Sequence, residues 1–260
     1  MNGEARFGEA LSGEARPVLE VRGLVKQFVI HAIGRRVDAL DGVDLTVGPG
    51  EHVALVGPSG AGKSTLLKCV WRSCVPTAGA VVLRRADGST LDLATAPDRL
   101  VVEARSRDLA YVSQFLRAEQ RRSVIDVVER AARRRGLGDE AAGPAAAEAL
   151  RRVGLGRQLW DTHPVVLSGG EQQRVNLAAG TLSPPGLVLL DEPVAALDAD
   201  NRQAVVEQIR GLTRSGTAVL SVFHDLDIVR ALATRVVVLV GGRVEAEGPP
   251  AAVLESQLAS

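Results

Sequence analysis

The chain has 260 residues, 46% hydrophobic and 24% charged, with 31 basic and 31 acidic side chains that cancel. That allows one large domain, or one domain with a smaller lobe, around a substantial core. Zero net charge leaves no global field to favour nucleic acid or an anionic membrane as partner.

In chain order, residues 1–16 repeat a Gly-Glu-Ala-Arg element without any apolar run. A signal peptide needs a basic start and an apolar stretch, so this segment reads as a disordered tail ahead of a domain over residues 17–260. No uninterrupted apolar span reaches about twenty residues, the length that crosses a bilayer. Any membrane role therefore needs another chain.

Short β-branched runs at residues 18–21, 52–56, 109–112, 187–190, 218–222 and 236–240 predict strands, mostly separated by helical stretches. That pattern gives an α/β fold with a mainly parallel sheet covered on both faces. At the start, residues 44–47 and 52–56 flank Gly48-Pro49-Gly50, which predicts an antiparallel edge there. Cys69 and Cys74 lack zinc-site spacing and read as buried thiols in a reducing cytoplasm.

From about residue 115 to 180 the sequence turns Ala-, Arg- and Glu-rich with helical spacing. This predicts a helical lobe inserted into the α/β core, interrupted at Gly143-Pro144. The arginines at 121–122 and 133–135 have no aromatics between them and read as a solvated helix face, not a nucleic-acid site. No motif occurs twice, so the chain holds a single functional unit.

Gly57-Pro58-Ser59-Gly60-Ala61-Gly62-Lys63-Ser64-Thr65 follows a hydrophobic strand and opens a helix, the context of a P-loop. Its glycines let successive N–H groups point inward, an anion nest at a helix N-terminus. Lys63 is expected on the β- and γ-phosphates of ATP, and Ser64 on Mg²⁺. A second buried run delivers Asp191 and Glu192 to a strand end, where open α/β sheets place their ligands. Asp191 is the expected magnesium residue and Glu192 the base that polarises the attacking water.

Leu167-Ser168-Gly169-Gly170-Glu171-Gln172-Gln173-Arg174 resembles the signature of ATP-binding cassette ATPases, with an antiparallel N-terminal β subdomain and inserted helical lobe expected. The resemblance implies that Ser168, Gly169 and Gly170 cap the γ-phosphate held by a second cassette, facing head to tail. It also implies Phe28 on adenine, Gln114 as the loop residue sensing Mg²⁺ and a partner, Asp198 in the loop crossing the dimer interface, and His224 as the γ-phosphate switch. Val194 and Ala179 depart from the family, which usually has Thr and Arg there.

Several stretches, including Val112-Ser113-Gln114-Phe115-Leu116-Arg117 and Phe223-His224-Asp225, are similar to a branch tied to the carbon–phosphorus lyase of phosphonate breakdown. That branch implies a soluble lyase core complex as partner. The alternative expectation is a permease, with the chain as the ATPase subunit of an importer or exporter.

Overall fold

The computed structural model describes residues 16–30, 34–113, 121–194, 197 and 199–258. Gln114, Ala196, Asp198, residues 115–117 and nearly all of the expected tail lie outside them. Among the described residues, no helix is long and apolar enough to cross a membrane.

The strands are β1 (Leu19–Ile30), β2 (Arg35–Val47), β3 (His52–Val56), β4 (Ala78–Arg84), β5 (Thr90–Asp92), β6 (Leu109–Val112), β7 (Leu187–Asp191), β8 (Ala218–Val222), β9 (Arg235–Val240) and β10 (Arg243–Gly248). They form two sheets. An antiparallel one runs β2-β1-β4-β5, and a six-stranded one runs β10-β9-β3-β8-β7-β6. In the second, all neighbours from β9 to β6 are parallel and only β10 runs antiparallel.

Period-two alternation divides the large sheet between two cores. Ala54, Val56, Val188, Leu190, Val236 and Val238 face one, packed against the helical lobe and the helices that follow β7. Val53, Leu55, Leu187, Leu189, Val237 and Leu239 face the other, under α1 (Lys63–Val70), α2 (Asp98–Arg107) and the antiparallel sheet. Strands buried on both faces show as unbroken apolar runs, which is why residues 52–56 and 187–190 stand out in the sequence.

The lobe is built from α3 (Val124–Arg134), α4 (Asp139–Arg152) and α5 (Gly169–Thr181). Ser123 and Asp126 form a reciprocal capping box at the start of α3, satisfying two otherwise orphaned N–H groups. Beyond the lobe, α6 (Ala199–Arg214) and α7 (Leu226–Leu232) cover the first core, and α8 (Pro250–Leu258) packs on β9 and β10.

Four local expectations need correction. Gly48-Pro49-Gly50 does not turn a hairpin: β2 stays in the antiparallel sheet while β3 enters the middle of the parallel one. Gly50, at φ 67, donates to the Gly216 carbonyl at 2.9 Å, and Arg235 clamps Glu51 at 2.7 Å, so the turn hands the chain between sheets. Pro144 does not break the lobe either; it sits inside α4, which continues past the one missing N–H.

Of the arginine run, Arg133 pairs with Asp139 and Glu129 on the surface as expected. Arg135 instead turns inward, where burial pushes its guanidinium down to about 10. Cys69 is fully buried, and burial beside Cys74 pushes its thiol up to about 12, but Cys74 is only half-buried.

His52 is wholly buried at the start of β3, with Nε2 2.8 Å from the Ser221 hydroxyl and its ring against Phe223. Burial pushes its pKa from 6.5 down to about 4. Between those values the unfolded chain takes up a proton that the folded chain refuses. The stabilisation is therefore complete above pH 6.5 and drains as pH falls toward 4, by about 3 kcal/mol in all. Urea unfolding at neutral pH and near pH 4.5 should show wild type losing about 2 kcal/mol more than His52→Leu. Equal acid sensitivity in the two proteins would remove His52 as the cause.

Candidate functional site

A cleft of about 300 Å³ opens at the C-terminal ends of β3, β7 and β8. Ser59, Gly60, Ala61, Gly62, Lys63, Ser64 and Thr65 form one wall, and Glu192, Val222 and His224 form another. Parallel strands aim their last residues to the same side, so residues far apart in sequence meet there.

The loop between β3 and α1 lies directly on neighbouring backbone. A Cβ at Gly57 (φ +135) would stand 2.0 Å from the Leu239 carbonyl oxygen, and one at Gly62 (φ +103) 2.4 Å from that of Ala39. These glycines allow a contact with β9 and β2 as well as an unusual backbone. Lys63 folds back on its own loop, donating to the carbonyls of Gly57 at 2.6 Å and Pro58 at 2.9 Å. Burial lowers its pKa, and the charge of Glu192 opposes that shift.

Asp191 ends β7 almost completely buried. One carboxylate oxygen accepts from the Ser64 hydroxyl at 3.2 Å and the other from the Tyr111 hydroxyl at 2.7 Å. Glu192 follows with φ 53, a left-handed conformation that costs a glutamate energy, and its N–H donates to the Val222 carbonyl at 3.0 Å. That turn points its carboxylate at His224, whose Nε2 lies 2.7 Å from Glu192 Oε1.

The structure thus brings the P-loop, Asp191, Glu192 and His224 together. Ser168, Gly169 and Gly170 do not line this cleft. Ser168 caps α5 instead, its hydroxyl donating to Glu171 at 2.8 Å and accepting from the Glu171 N–H at 3.3 Å. The free end of that helix leaves its first N–H groups and positive dipole facing outward. Phe28 is also outside the cleft, 41% exposed, with the Lys26 ammonium 4.9 Å from its ring centroid. Val37, opposite Phe28 in the β1/β2 register, does line it, as do Asp38 and Ala39.

Sequence reasoning missed Tyr111 and the β2 residues. Tyr111 pairs with Leu189, two residues before Asp191 on the same face of β7. The signal was a lone tyrosine on an apolar strand, which means nothing until the order of strands is known.

Among the described residues, no group of three or more His, Cys, Asp or Glu could form an all-protein metal cage. A serine hydroxyl against a buried carboxylate is the hard-oxygen pair that suits magnesium, which keeps waters and phosphate oxygens as its other ligands. The residues fit that ion.

Gly57→Ala combines backbone strain with collision against a strand, while Gly60→Ala, at φ +81 with nothing within 4 Å of a Cβ, adds strain alone. Strain at such a position costs on the order of 1–3 kcal/mol. Thermal melts should place Gly57→Ala clearly below Gly60→Ala; equal melting temperatures would mean the Leu239 contact yields at no cost.

A family model described as ABC transporter matches residues 40–195. The hemin import ATP-binding protein HmuV of Nitrobacter winogradskyi is 36% identical over 260 residues, covering 94% of this chain and 87% of that protein. The lipoprotein-releasing system ATP-binding protein LolD of Anaeromyxobacter dehalogenans is 38% identical over 239 residues, covering 90% of this chain and 95% of its own. Among solved structures, the dimeric post-hydrolysis state of the ATP-binding cassette MJ0796 bound to ADP and Pi superposes with a TM-score of 0.80 at 28% identity, over 89% of this chain and 98% of that one. With a phosphate-binding loop, an acid pair and a histidine converging on one cleft, and relatives along nearly its whole length, this chain belongs to the ABC transporter family as an ATP-hydrolysing cassette.

Proposed function

We propose that this chain is the nucleotide-binding subunit of a membrane transporter, acting at the cytoplasmic face as a head-to-tail pair of cassettes. The observation that carries this reading is the split site: Lys63, Ser64, Glu192 and His224 line one cleft, with Asp191 hydrogen-bonded to Ser64, while the Ser168 turn presents a second helix N-terminus elsewhere on the surface. A phosphate chain held by one half leaves its γ-phosphate open for the other half of a second copy.

In this reading the N–H groups of residues 60–65 hold the phosphates, and Lys63 swings from the Gly57 and Pro58 carbonyls onto them. Ser64 and Asp191, joined by Gln114, would hold Mg²⁺, which would supply charge neutralisation to the phosphates. Glu192 takes hydrogen-bond hold of the attacking water, and His224 releases Glu192 to contact the γ-phosphate. Phe28 lies beside the cleft wall for adenine, and Asp198 belongs to the loop meeting the partner cassette. The transporter assignment rests on relatives whose names specify import of hemin or release of lipoproteins.

A second reading, the ATPase of a soluble carbon–phosphorus lyase assembly, rests on the sequence resemblance of the stretches at 112–117 and 223–225.

Glu192→Gln should bind Mg-ATP yet lose about 10²–10⁴-fold in turnover, read as steady-state phosphate release. Turnover close to wild type would sink the role of Glu192. In that background ATP should drive dimerisation, visible by light scattering, and Ser168→Arg should prevent it by placing bulk and charge at the γ-phosphate cap. An ATP-dependent dimer of Ser168→Arg would mean the signature faces something else. Affinity capture from membranes and cytosol separates the readings: an integral membrane permease supports the transporter, and lyase subunits without a permease overturn it.

A further inference from the structure

Glu192 and His224 line two cavities, the nucleotide cleft and another of about 250 Å³. Val194, Phe223 and Ile228 give the second an apolar lining, into which Arg202 and Asp225 bring an ion pair. The roles assigned above to Glu192 and His224 make no use of that pair.

His224 is poorly held by its own side chain, which is 62% exposed and reaches Glu192 Oε1 at 2.7 Å. Its place depends on its neighbours in the chain. On one side the buried Phe223 sits against the His52 ring, centroids 6.1 Å apart. On the other stands Asp225, which uses both carboxylate oxygens. Oδ1 caps α7, accepting from the N–H groups of Asp227 at 2.9 Å and Ile228 at 3.4 Å. Oδ2 accepts from Arg202 Nη1 at 3.0 Å. Among the described residues the buried Nε of Arg202 finds no acceptor, so Asp225 is the anchor of this guanidinium.

Arg202 lies in the first turn of α6. Two turns on, Arg210 donates to the Ala231 carbonyl in the last turn of α7 at 3.2 Å. The two helices are thus tied at both ends, and only the Arg202 tie lands on the residue after His224. An ion pair whose side chains are 42% and 38% exposed adds little to global stability. What it fixes is geometry: a fork of N–H groups facing a carboxylate holds that carboxylate in one orientation.

We propose that Arg202 is a positioning residue for ATP hydrolysis, which clamps Asp225 and so holds the His224 imidazole in register with Glu192. The clamp acts through the chain segment and not by touching nucleotide. The proposal rests on the role given above to His224 in turnover.

The test compares Arg202→Gln, Asp225→Asn and their double variant with Arg210→Gln, which cuts the other tie between the same helices. Asparagine still caps a helix, so Asp225→Asn removes the ion pair and keeps α7. Each of the first two should lower kcat by about tenfold, the scale on which a misplaced catalytic group costs rate, with KM for ATP and the thermal melt close to wild type. The double variant should lose no more than either single one, since both remove one interaction. Arg202→Lys should recover most of the rate, and Arg210→Gln should keep it. A second readout needs no ATP. In protein with ¹⁵N-labelled histidine, the His224 Nε2 signal is identified among the four histidines by its loss in His224→Ala. It should move in Arg202→Gln in the direction that Glu192→Gln moves it. An unmoved signal, a kcat within twofold of wild type, or an equal loss in Arg210→Gln overturns the clamp. Full turnover in His224→Ala would instead strike the role of the histidine, while the signal still decides whether Arg202 holds it.

Discussion

The nucleotide site depends on a contact between backbones. The loop after β3 can lie against the Leu239 and Ala39 carbonyls only because residues 57 and 62 carry no side chain. That contact fixes the loop over the sheet edge, and with it the direction of the N–H groups and of α1. A phosphate nest made of main chain needs such a rigid support, since backbone dipoles bind anions only when held in common orientation.

Around that loop, the sheet does the gathering. β3, β8 and β7 are neighbours in that order and parallel, so Gly57, Phe223 and Glu192 follow strands that end on one side of the sheet. Burial of each strand in two cores leaves the strands little freedom to slide. At the cleft, backbone strain falls on the left-handed Glu192, whose conformation turns its carboxylate toward His224. Lys63 rests on its own loop, Asp191 on two hydroxyls and Glu192 on the histidine.

The lobe meets the core through a seam with a different character, lined among others by Trp71, Arg105 and Tyr111 from the core and by Arg134, Arg135 and Ala179 from the lobe. Tyr111 ties the core wall of that seam to the nucleotide site, its ring stacked on Trp71 and its hydroxyl donating to Asp191 at 2.7 Å.

The sequence alone determined the chemistry and the class of fold. Local patterns sufficed: a glycine loop with Lys63 and Ser64, an acid pair ending an apolar run, and unbroken β-branched runs that only doubly covered strands require. The Ser168 turn could be read as a helix start because a capping box is a four-residue device. What needed tertiary structure were the facts set by strand order and layer packing. Gly48-Pro49-Gly50 reads as a hairpin turn, yet its neighbours belong to different sheets, a choice made by Gly216 and Arg235 from far along the chain. Pro144 reads as a break, yet helix packing outweighs one lost hydrogen bond. Arg135 reads as one more solvated arginine, and Tyr111 as one more core aromatic. Only the folding of the lobe onto β6 put the first in a cavity, and only the pairing of β6 with β7 put the second against Asp191, since such contacts join residues whose separation in sequence carries no periodic signal.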